Sequence, residues 1–284
     1  MNKTISVLIV IYNKELKNSS SLSSLIDSNC KIDNLLIVNN GPEKLEIEYQ
    51  VNYGKIQNVQ VLEYLTNRPL SLIYNEFLHY YNSDYYIILD DDTKINSYFI
   101  EYIYSLSGVD VELPKIISDY DGKVYYPISD KCILVESVDT IYGNVFSIGS
   151  GLVISKKVVE VFDREDVEIF DTRFALYGVD TSFFYKLNRF KKYFKISSST
   201  TLVHGLSLAS SEKWSDSKVI ELMIDELLTF KFYRKYPSKL LIKLLYRYLS
   251  NFNFRMLYFS IKIYLQGCHP RSKLIKETRR NVNS

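Results

Sequence analysis

The sequence predicts an α/β fold, in which helices cover a largely parallel β-sheet, followed by a purely helical region. In the first half of the chain, short apolar runs typical of buried strands alternate with segments of helical spacing, which is the pattern of a parallel sheet. From Glu212 onward the apolar period is helical. A chain of 284 residues, 46% of them hydrophobic, can build the substantial core that such a sheet requires.

The strands and helices of the first half follow one another in order. We predict strands at residues 5–13, 34–41, 59–65 and 85–92, and helices at residues 21–28 and 69–82. The second helix places Leu70, Ile73, Phe77 and Tyr81 three and four residues apart, so that one face of it is apolar. Ligands of open α/β sheets bind at the C-terminal ends of the strands, so functional residues are expected there.

The middle of the chain has a less regular pattern. Residues 123–128 and 146–162 predict strands and a short helix. A loop then leads into a helix that begins near Asp180, and residues 193–204 predict a strand that ends at His204.

The composition favours a protein of a reducing compartment. Cys30, Cys132 and Cys268 are odd in number and far apart, which indicates neither a disulfide framework nor a zinc site. The apolar run at the N-terminus is too short to cross a bilayer and lacks a signal-peptide cleavage pattern. We therefore predict a cytoplasmic location.

The C-terminal region, residues 211–284, is basic and rich in aromatic residues. From Lys231 onward Glu277 is its only acidic residue. A polar stripe with a spacing of four crosses an otherwise apolar surface and consists of Lys239, Lys243, Arg247, Asn251 and Arg255. Basic amphipathic helices bind anionic bilayers, so we predict a tail on the inner face of the cell membrane. The alternative is a helix packed on the preceding domain with its lysines in solvent.

Three consecutive carboxylates, Asp90, Asp91 and Asp92, end the fourth predicted strand. Like charges this close repel, and a carboxylate removed from water requires a positive partner. Side chains alternate along a strand, so Asp90 and Asp92 are expected on one face and Asp91 on the other. Two carboxylates suit Mg²⁺ or Mn²⁺, which take further ligands from water and substrate phosphates. The alternative is a polar turn in which Asp92 or Thr93 caps the next helix.

Five segments together resemble the family 2 glycosyltransferases, particularly bacterial members that are rhamnosyltransferase-like or galactofuranosyltransferase-like. The segments are SVLIVIYNKE, LLIVNNG, YYIILDDDTKI, FDTRFALYGVDTSFFYKL and LVHGLS, and they follow the family's order over residues 4–210. The resemblance implies the GT-A fold for a catalytic domain of residues 1–210. This fold is a Rossmann-like mixed sheet with helices on both faces. The resemblance also implies inverting sugar transfer from a nucleotide diphosphate.

The resemblance assigns four residues to binding of the nucleotide sugar. Tyr12 and Asn13 match the position that lies against the base and ribose. Asn39 stands where the family usually has an Asp that contacts the base. Asn75 matches an Asn of the helix, although Tyr74 replaces the Arg that commonly precedes it. Neutralisation of the diphosphate is therefore expected to depend more heavily on a metal ion.

The resemblance also assigns the metal and the catalytic base. Asp90 and Asp92 match the DXD signature, with Asp92 as the metal ligand, and Asp90 and Asp91 are assigned to donor binding. His204 matches a position that can ligate the metal. Asp180 matches the catalytic base that takes a proton from the acceptor hydroxyl. For Asp180 alone, the sequence also favours a helix N-cap.

The resulting hypothesis is a metal-dependent inverting glycosyltransferase of surface polysaccharide synthesis. Its partners would be a nucleotide-diphosphate sugar and a glycan acceptor linked to polyprenyl diphosphate. One alternative is a non-catalytic, membrane-docked subunit of a polysaccharide assembly complex. A nucleotidyl- or phospho-transferase would need a second acidic cluster and a phosphate-binding Gly-rich loop, and neither is obvious. Nucleic-acid binding is disfavoured because the basic tail is too apolar.

Overall fold

The computed structural model describes residues 3–45, 52–206 and 214–275, which form two compact units. The first unit contains residues 1–67, 74–169 and 186–211, and the second contains residues 68–73, 170–185 and 212–284. The boundary predicted between residues 210 and 211 lies outside the described residues.

The described chain contains strands and helices in the following order. They are β1 (Ile5–Ile11), α1 (Ser20–Asp27), β2 (Ile32–Asn39), β3 (Ile56–Glu63), α2 (Leu70–Tyr80), β4 (Tyr85–Asp90), β5 (Thr93–Lys94), α3 (Ser97–Ser105), β6 (Val111–Glu112), β7 (Lys115–Ser118), β8 (Val124–Tyr126), β9 (Ile128–Ser129), β10 (Cys132–Ile133), β11 (Val145–Phe146), β12 (Leu152–Ser155), α4 (Lys156–Arg164), α5 (Val179–Phe190), β13 (Ile196–Ser197), β14 (Thr201–His204), α6 (Asp216–Tyr233), α7 (Pro237–Ser250) and α8 (Phe254–Gln266). The predicted α/β class is confirmed.

The first unit is built on a seven-stranded mixed sheet in the order β13-β6-β12-β4-β1-β2-β3. Strands β3, β2, β1 and β4 are parallel, whereas β12 is antiparallel to both β4 and β6. The residues of β1 are all buried, as are the first five residues of β4, which explains why both strands appear in the sequence as continuous apolar runs. The C-terminal ends of β1, β2 and β4 meet at one edge of the sheet.

A four-stranded sheet, in the order β5-β14-β7-β8, contains the strand that ends at His204. The sequence predicted one strand over residues 193–204, and this prediction was wrong, because β13 and β14 belong to different sheets. The buried carboxylate of Glu112 accepts hydrogen bonds from the backbone amides of Ser199 and Thr200, at 2.7 and 2.9 Å. These bonds satisfy the backbone where the chain leaves one sheet for the other.

The second unit includes the helices α6, α7 and α8. The sequence predicted one polar stripe from Lys239 to Arg255, but the helix ends at Ser250 and a new one begins at Phe254. Asn253 caps the second helix, because its side chain accepts a hydrogen bond from the amide of Met256 at 3.1 Å. Arg255 therefore lies on a different helix from Lys239. None of the helices in the described ranges is both long enough and apolar enough to span a bilayer.

Candidate functional site

Strand pairing brings together the sequence-predicted residues of the first unit. Asp90 is the last residue of β4 and pairs with Val10 of β1, two residues before Tyr12. In the four-stranded sheet, His204 pairs with Thr93, the residue that follows the three carboxylates. The imidazole therefore reaches the carboxylates through this pairing, although more than a hundred residues separate the two segments.

Asp90, Asp92 and His204 form a cluster whose candidate ligand atoms all lie within 4.8 Å of one another. Asp92 Oδ1 is 3.1 Å from His204 Nδ1. This oxygen is buried, and no group in the described part of the chain forms a hydrogen bond of good geometry with it. A buried carboxylate oxygen without a hydrogen bond is costly, so the site favours a cation at this point.

Gly205 lets the backbone approach Asp92 closely. A Cβ atom added to Gly205 would lie 2.6 Å from Asp92 Oδ2, which is shorter than any contact a real Cβ makes. The carboxylate of Asp92 is thus held between the imidazole of His204 and the backbone of Gly205.

Hydroxyl groups hold the loop that carries the carboxylates. Ser150 Oγ accepts a hydrogen bond from the amide of Asp90 at 2.9 Å and lies 2.5 Å from Thr93 Oγ1. Thr93 Oγ1 is in turn 2.8 Å from His204 Nδ1. On α1, Ser21 Oγ donates to the carbonyl of Asp90 and accepts from the amide of Thr93. These contacts fix the cluster before any ligand binds.

The negative charge of the cluster raises the pKa of His204. Burial alone would lower the pKa of this imidazole, but the contact with Asp92 and the charges of Asp90, Asp92 and Asp91 together raise it above its ordinary value. The excess negative charge that raises this pKa is the same charge that would attract a divalent cation.

Asp91 lies outside this cluster. The alternation of side chains along the strand predicted this separation from Asp90 and Asp92. The carboxylate of Asp91 forms an ion pair with Lys14, and its Oδ2 lies 3.5 Å from the amide of Tyr12. Lys14 is therefore the positive partner of the middle carboxylate. Sequence reasoning missed Lys14, because the pair joins residues 77 positions apart.

The nucleotide residues predicted at the end of β1 are accessible. The Tyr12 side chain is 50% exposed, and Asn13 is exposed with a backbone φ of 51°, a conformation that Asn tolerates better than most residues. An exposed aromatic ring at this edge can stack on a base. The base-binding role of both residues stays a prediction.

Asn39 has contacts typical of a structural residue. It is buried, its amide group donates to the carbonyl of Glu43 at 2.7 Å and to Glu63 Oε1 at 3.2 Å, and its Oδ1 accepts from Gly41 at 3.0 Å. These bonds hold the turn after β2, and the contact of Asn39 with a base stays a prediction. Asn75 lies half-buried on α2, where its carbonyl accepts from His79 Nδ1 at 2.8 Å. Its role in donor binding stays a prediction.

The helix-cap alternatives do not hold. Helix α3 begins at Ser97, and Asn96 caps it by accepting from the amide of Phe99 at 2.8 Å, so neither Asp92 nor Thr93 is the cap. Asp180 belongs to the second unit and lies inside the first turn of α5, after Val179. Its role as the catalytic base stays a prediction.

Asp225 of α6, also in the second unit, carries a perturbed carboxyl that sequence reasoning missed. Burial, followed by the charges of Asp180 and Glu226, raises its pKa to about 7, against an opposing hydrogen bond from Thr229. A Cβ atom added to Gly178 would lie 2.1 Å from Asp225 Oδ1, so this position requires a residue without a side chain. The carboxyl therefore carries a proton for much of the neutral range.

Asp90, Asp92 and His204 fit a divalent metal. Carboxylate oxygens and imidazole nitrogen are ligands of Mg²⁺ and Mn²⁺, and of these two ions Mg²⁺ prefers oxygen. The buried, unbonded oxygen of Asp92 supports this fit independently of any resemblance. The remaining coordination positions would be open to water and phosphate oxygens.

The fold is that of the GT-A glycosyltransferases. The structure of Staphylococcus aureus TarS residues 1–349 in complex with UDP-GlcNAc has a TM-score of 0.52, covering 95% of this chain and 82% of that chain, at 14% identity. At this identity the similarity establishes the fold alone. The predicted GT-A sheet is thereby confirmed.

Comparison of sequences gives more specific information about the class of protein than the fold does. The dTDP-rhamnosyl transferase RfbF of Shigella flexneri is 28% identical over 202 residues, which cover 63% of this chain and 66% of that protein, slightly less than two thirds of its length. No known family profile matches the chain. The predicted relationship to bacterial glycosyltransferases is confirmed.

Proposed function

We propose that the protein is a metal-dependent, inverting glycosyltransferase that transfers a sugar from a nucleotide diphosphate to a glycan acceptor. The acceptor would be linked to polyprenyl diphosphate, at the inner face of the cell membrane, during synthesis of a surface polysaccharide. The observation that carries the proposal is the Asp90–Asp92–His204 cluster at the end of β4 in a GT-A fold. The name of the relative RfbF makes dTDP-rhamnose the first donor to test.

The residues of the cluster would divide the work of donor binding. Asp92 and His204 would hold Mg²⁺ or Mn²⁺, with Asp90 as a third ligand or a contact to the ribose. The cation would neutralise the charge that develops on the departing diphosphate. Tyr12 would lie against the base, and Asp91 would orient the ammonium group of Lys14 beside the donor. Because Tyr74 occupies the position of the family's usual Arg, these cations supply the positive charge that the diphosphate requires.

The acceptor would be activated by a carboxylate. In an inverting transfer, the base removes a proton from the acceptor hydroxyl as this oxygen attacks C1 of the sugar and the diphosphate leaves from the opposite face. Asp180 is the proposed base. It lies in the first turn of α5.

The test is a transfer and donor-hydrolysis assay with dTDP-, UDP- and GDP-sugars, with Mn²⁺ or Mg²⁺ and with excess chelator. We expect one nucleotide family to be turned over only with metal, and Asp92→Asn to lower this rate by about a hundredfold or more. Asp163→Asn, an exposed carboxylate on α4, is the matched control. Turnover that survives chelation would refute the metal requirement.

A separate variant tests the proposed catalytic base. Asp180→Asn should abolish transfer to an acceptor while donor binding, measured by thermal shift, stays intact. Near-normal transfer by this variant would remove Asp180 from the role. If no donor binds or reacts in any of these assays, the non-catalytic subunit becomes the better description of the protein.

A further inference from the structure

Helices α7 and α8 expose large apolar side chains at helical spacing. On α7 these are Ile242, Tyr246 and Leu249, and on α8 they are Phe254, Tyr258, Ile261 and Leu265. We call these seven residues the exposed apolar face. Spacings of three and four place each set along one side of its helix. Tyr246, Tyr258 and Leu265 are 75%, 68% and 76% exposed.

This face is not the side with which the helices pack in their own unit. Leu244 of α7 and Ile263 of α8 are buried, and the two helices pack against each other and against α6. Each helix therefore has a buried apolar side and a second apolar side in solvent. Exposed apolar surface of this kind marks a binding site for a protein or a membrane.

The charges around the face identify its partner. Lys239, Lys243 and Arg247 lie along α7 beside its apolar stripe, and Arg255 and Lys262 do the same on α8. No Asp or Glu occurs anywhere between Leu227 and Lys276. Within α7 and α8, the charged residues beside the exposed apolar face are thus all basic, which is complementary to an anionic bilayer.

A second copy of the chain is a poorer partner for this face. A two-fold interface pairs a surface with itself, so the five cations would face five identical cations across an apolar contact. The tyrosines also suit a bilayer, because their rings bury apolar area while the hydroxyl groups stay at the headgroup level.

We propose that α7 and α8 form an in-plane membrane anchor, whose exposed apolar face enters the headgroup region of an anionic bilayer. The inference rests on the proposed function for its biological setting, since a lipid-linked acceptor is met at the membrane. It specifies which residues make the contact and which lipid charge they select. It requires no helix that crosses the bilayer.

The experiment is flotation of the purified full-length chain with vesicles of phosphatidylcholine alone and of phosphatidylcholine with about 30% phosphatidylglycerol. We expect binding to the anionic vesicles and little binding to the neutral ones. Lys239→Gln, Lys243→Gln and Arg247→Gln combined should weaken binding by about a hundredfold, given roughly 1 kcal/mol for each basic residue near the surface.

A second variant tests the apolar contact. Tyr246→Ser with Leu265→Ser should reduce binding to the anionic vesicles at least tenfold, by the loss of about 25 cal/mol per Å² of buried apolar area. Tyr142→Ser is the matched control, because Tyr142 is 85% exposed but lies in the first unit. Equal binding by the double variant and the parent, or by anionic and neutral vesicles, would overturn the proposal.

The outcomes separate this inference from the proposed function. If the chain forms a dimer that the double variant disrupts, and does not bind vesicles, the face is an interface between copies and the anchor is refuted. Metal-dependent donor hydrolysis should persist in both tail variants without vesicles. Hydrolysis without membrane binding would refute the anchor alone, whereas membrane binding without donor chemistry would refute only the proposed function.

Discussion

At the scale of single residues, Gly205 determines how closely the backbone approaches the carboxylate of Asp92. A methyl group at this position would lie 2.6 Å from Asp92 Oδ2, so the carboxylate must move away. We expect Gly205→Ala to raise the dissociation constant for Mn²⁺ by about tenfold or more, as the loss of a residue that orients a metal ligand does. Isothermal titration of the metal-free protein measures this constant.

Gly143→Ala is the control for that substitution. Its methyl group would also meet a carboxylate, that of Asp130, at a position that contributes nothing to the cluster. Mn²⁺ affinity should therefore be unchanged. Equal losses in the two alanine variants would indicate a general effect on the fold, and unchanged affinity in Gly205→Ala would contradict the described position of Asp92.

Asp225 predicts how stability depends on pH. Its folded-state pKa of about 7 lies above the ordinary value of 3.8, so the folded chain binds this proton more tightly than the unfolded chain does. The resulting stabilisation is present below about pH 4 and is lost as the pH rises through 7. Asp225→Asn removes the ionisation, so it should stabilise the protein relative to the parent at pH 8 by about 2 to 3 kcal/mol more than at pH 5.

Thermal unfolding of both proteins at these two pH values measures the difference. Asp216→Asn, at an exposed position in the first turn of the same helix, serves as the control and should show no comparable change with pH. If Asp225→Asn changed stability equally at pH 5 and pH 8, the buried proton on Asp225 would be disproved.

The sequence indicated the principal residues of the cluster but not the side chains that hold them. Asp90 and Asp92 follow an apolar strand, and His204 ends another, so their positions carry a local signal. The contacts of Lys14 and Ser150 join segments 60 or more residues apart, and no periodicity in the sequence reports such a pairing. For the same reason, Asn39 could be matched to a family position but its bonds within the turn could not be foreseen.

At the scale of the secondary-structure elements, the start of α3 separates the two interpretations of the acidic motif. Asn96 caps this helix, with its side chain 2.8 Å from the amide of Phe99. We expect Asn96→Ala to destabilise the protein by about 1 kcal/mol, because the amide loses its acceptor. Urea unfolding measures this change.

Asp92→Asn should not weaken the same helix. The substitution removes one charge from a crowded acidic cluster without affecting the cap. Unfolding should therefore occur at the same or a higher urea concentration than in the parent. Destabilisation by Asp92→Asn that matched that of Asn96→Ala would support the discarded view that Asp92 belongs to a capping turn.

Long elements were predictable and short ones were not. Strands β1 and β4 are buried along nearly their whole length, so their apolar runs are unmistakable. Strands β5 and β13 contain two residues each, too few for any alternation to be detected. The break between α7 and α8 lies at Asn251 and Asn253, which favour the ends of helices. The four-residue spacing of polar side chains continues across this break, so the sequence pattern concealed it.

At the scale of the whole molecule, the proposed chemistry is divided between two units. The first unit holds the proposed metal and nucleotide residues, and the second holds Asp180, Asp225 and the basic helices. Ligand binding and base catalysis can therefore be tested by separate variants. The segment order shared with the family predicted the fold, whereas it could not predict that residues 68–73 and 170–185 group with the C-terminal helices.

The proposed metal site would bind the donor's diphosphate through a divalent cation held by Asp90, Asp92 and His204. Its most direct test is titration of dTDP and UDP into the full-length protein, with Mn²⁺ and then with excess chelator, in the parent and in Asp92→Asn. We expect chelator and substitution each to weaken binding of the same nucleotide by about a hundredfold, and together to weaken it no further. A nucleotide diphosphate that bound equally tightly without metal would refute the proposed role of the cation.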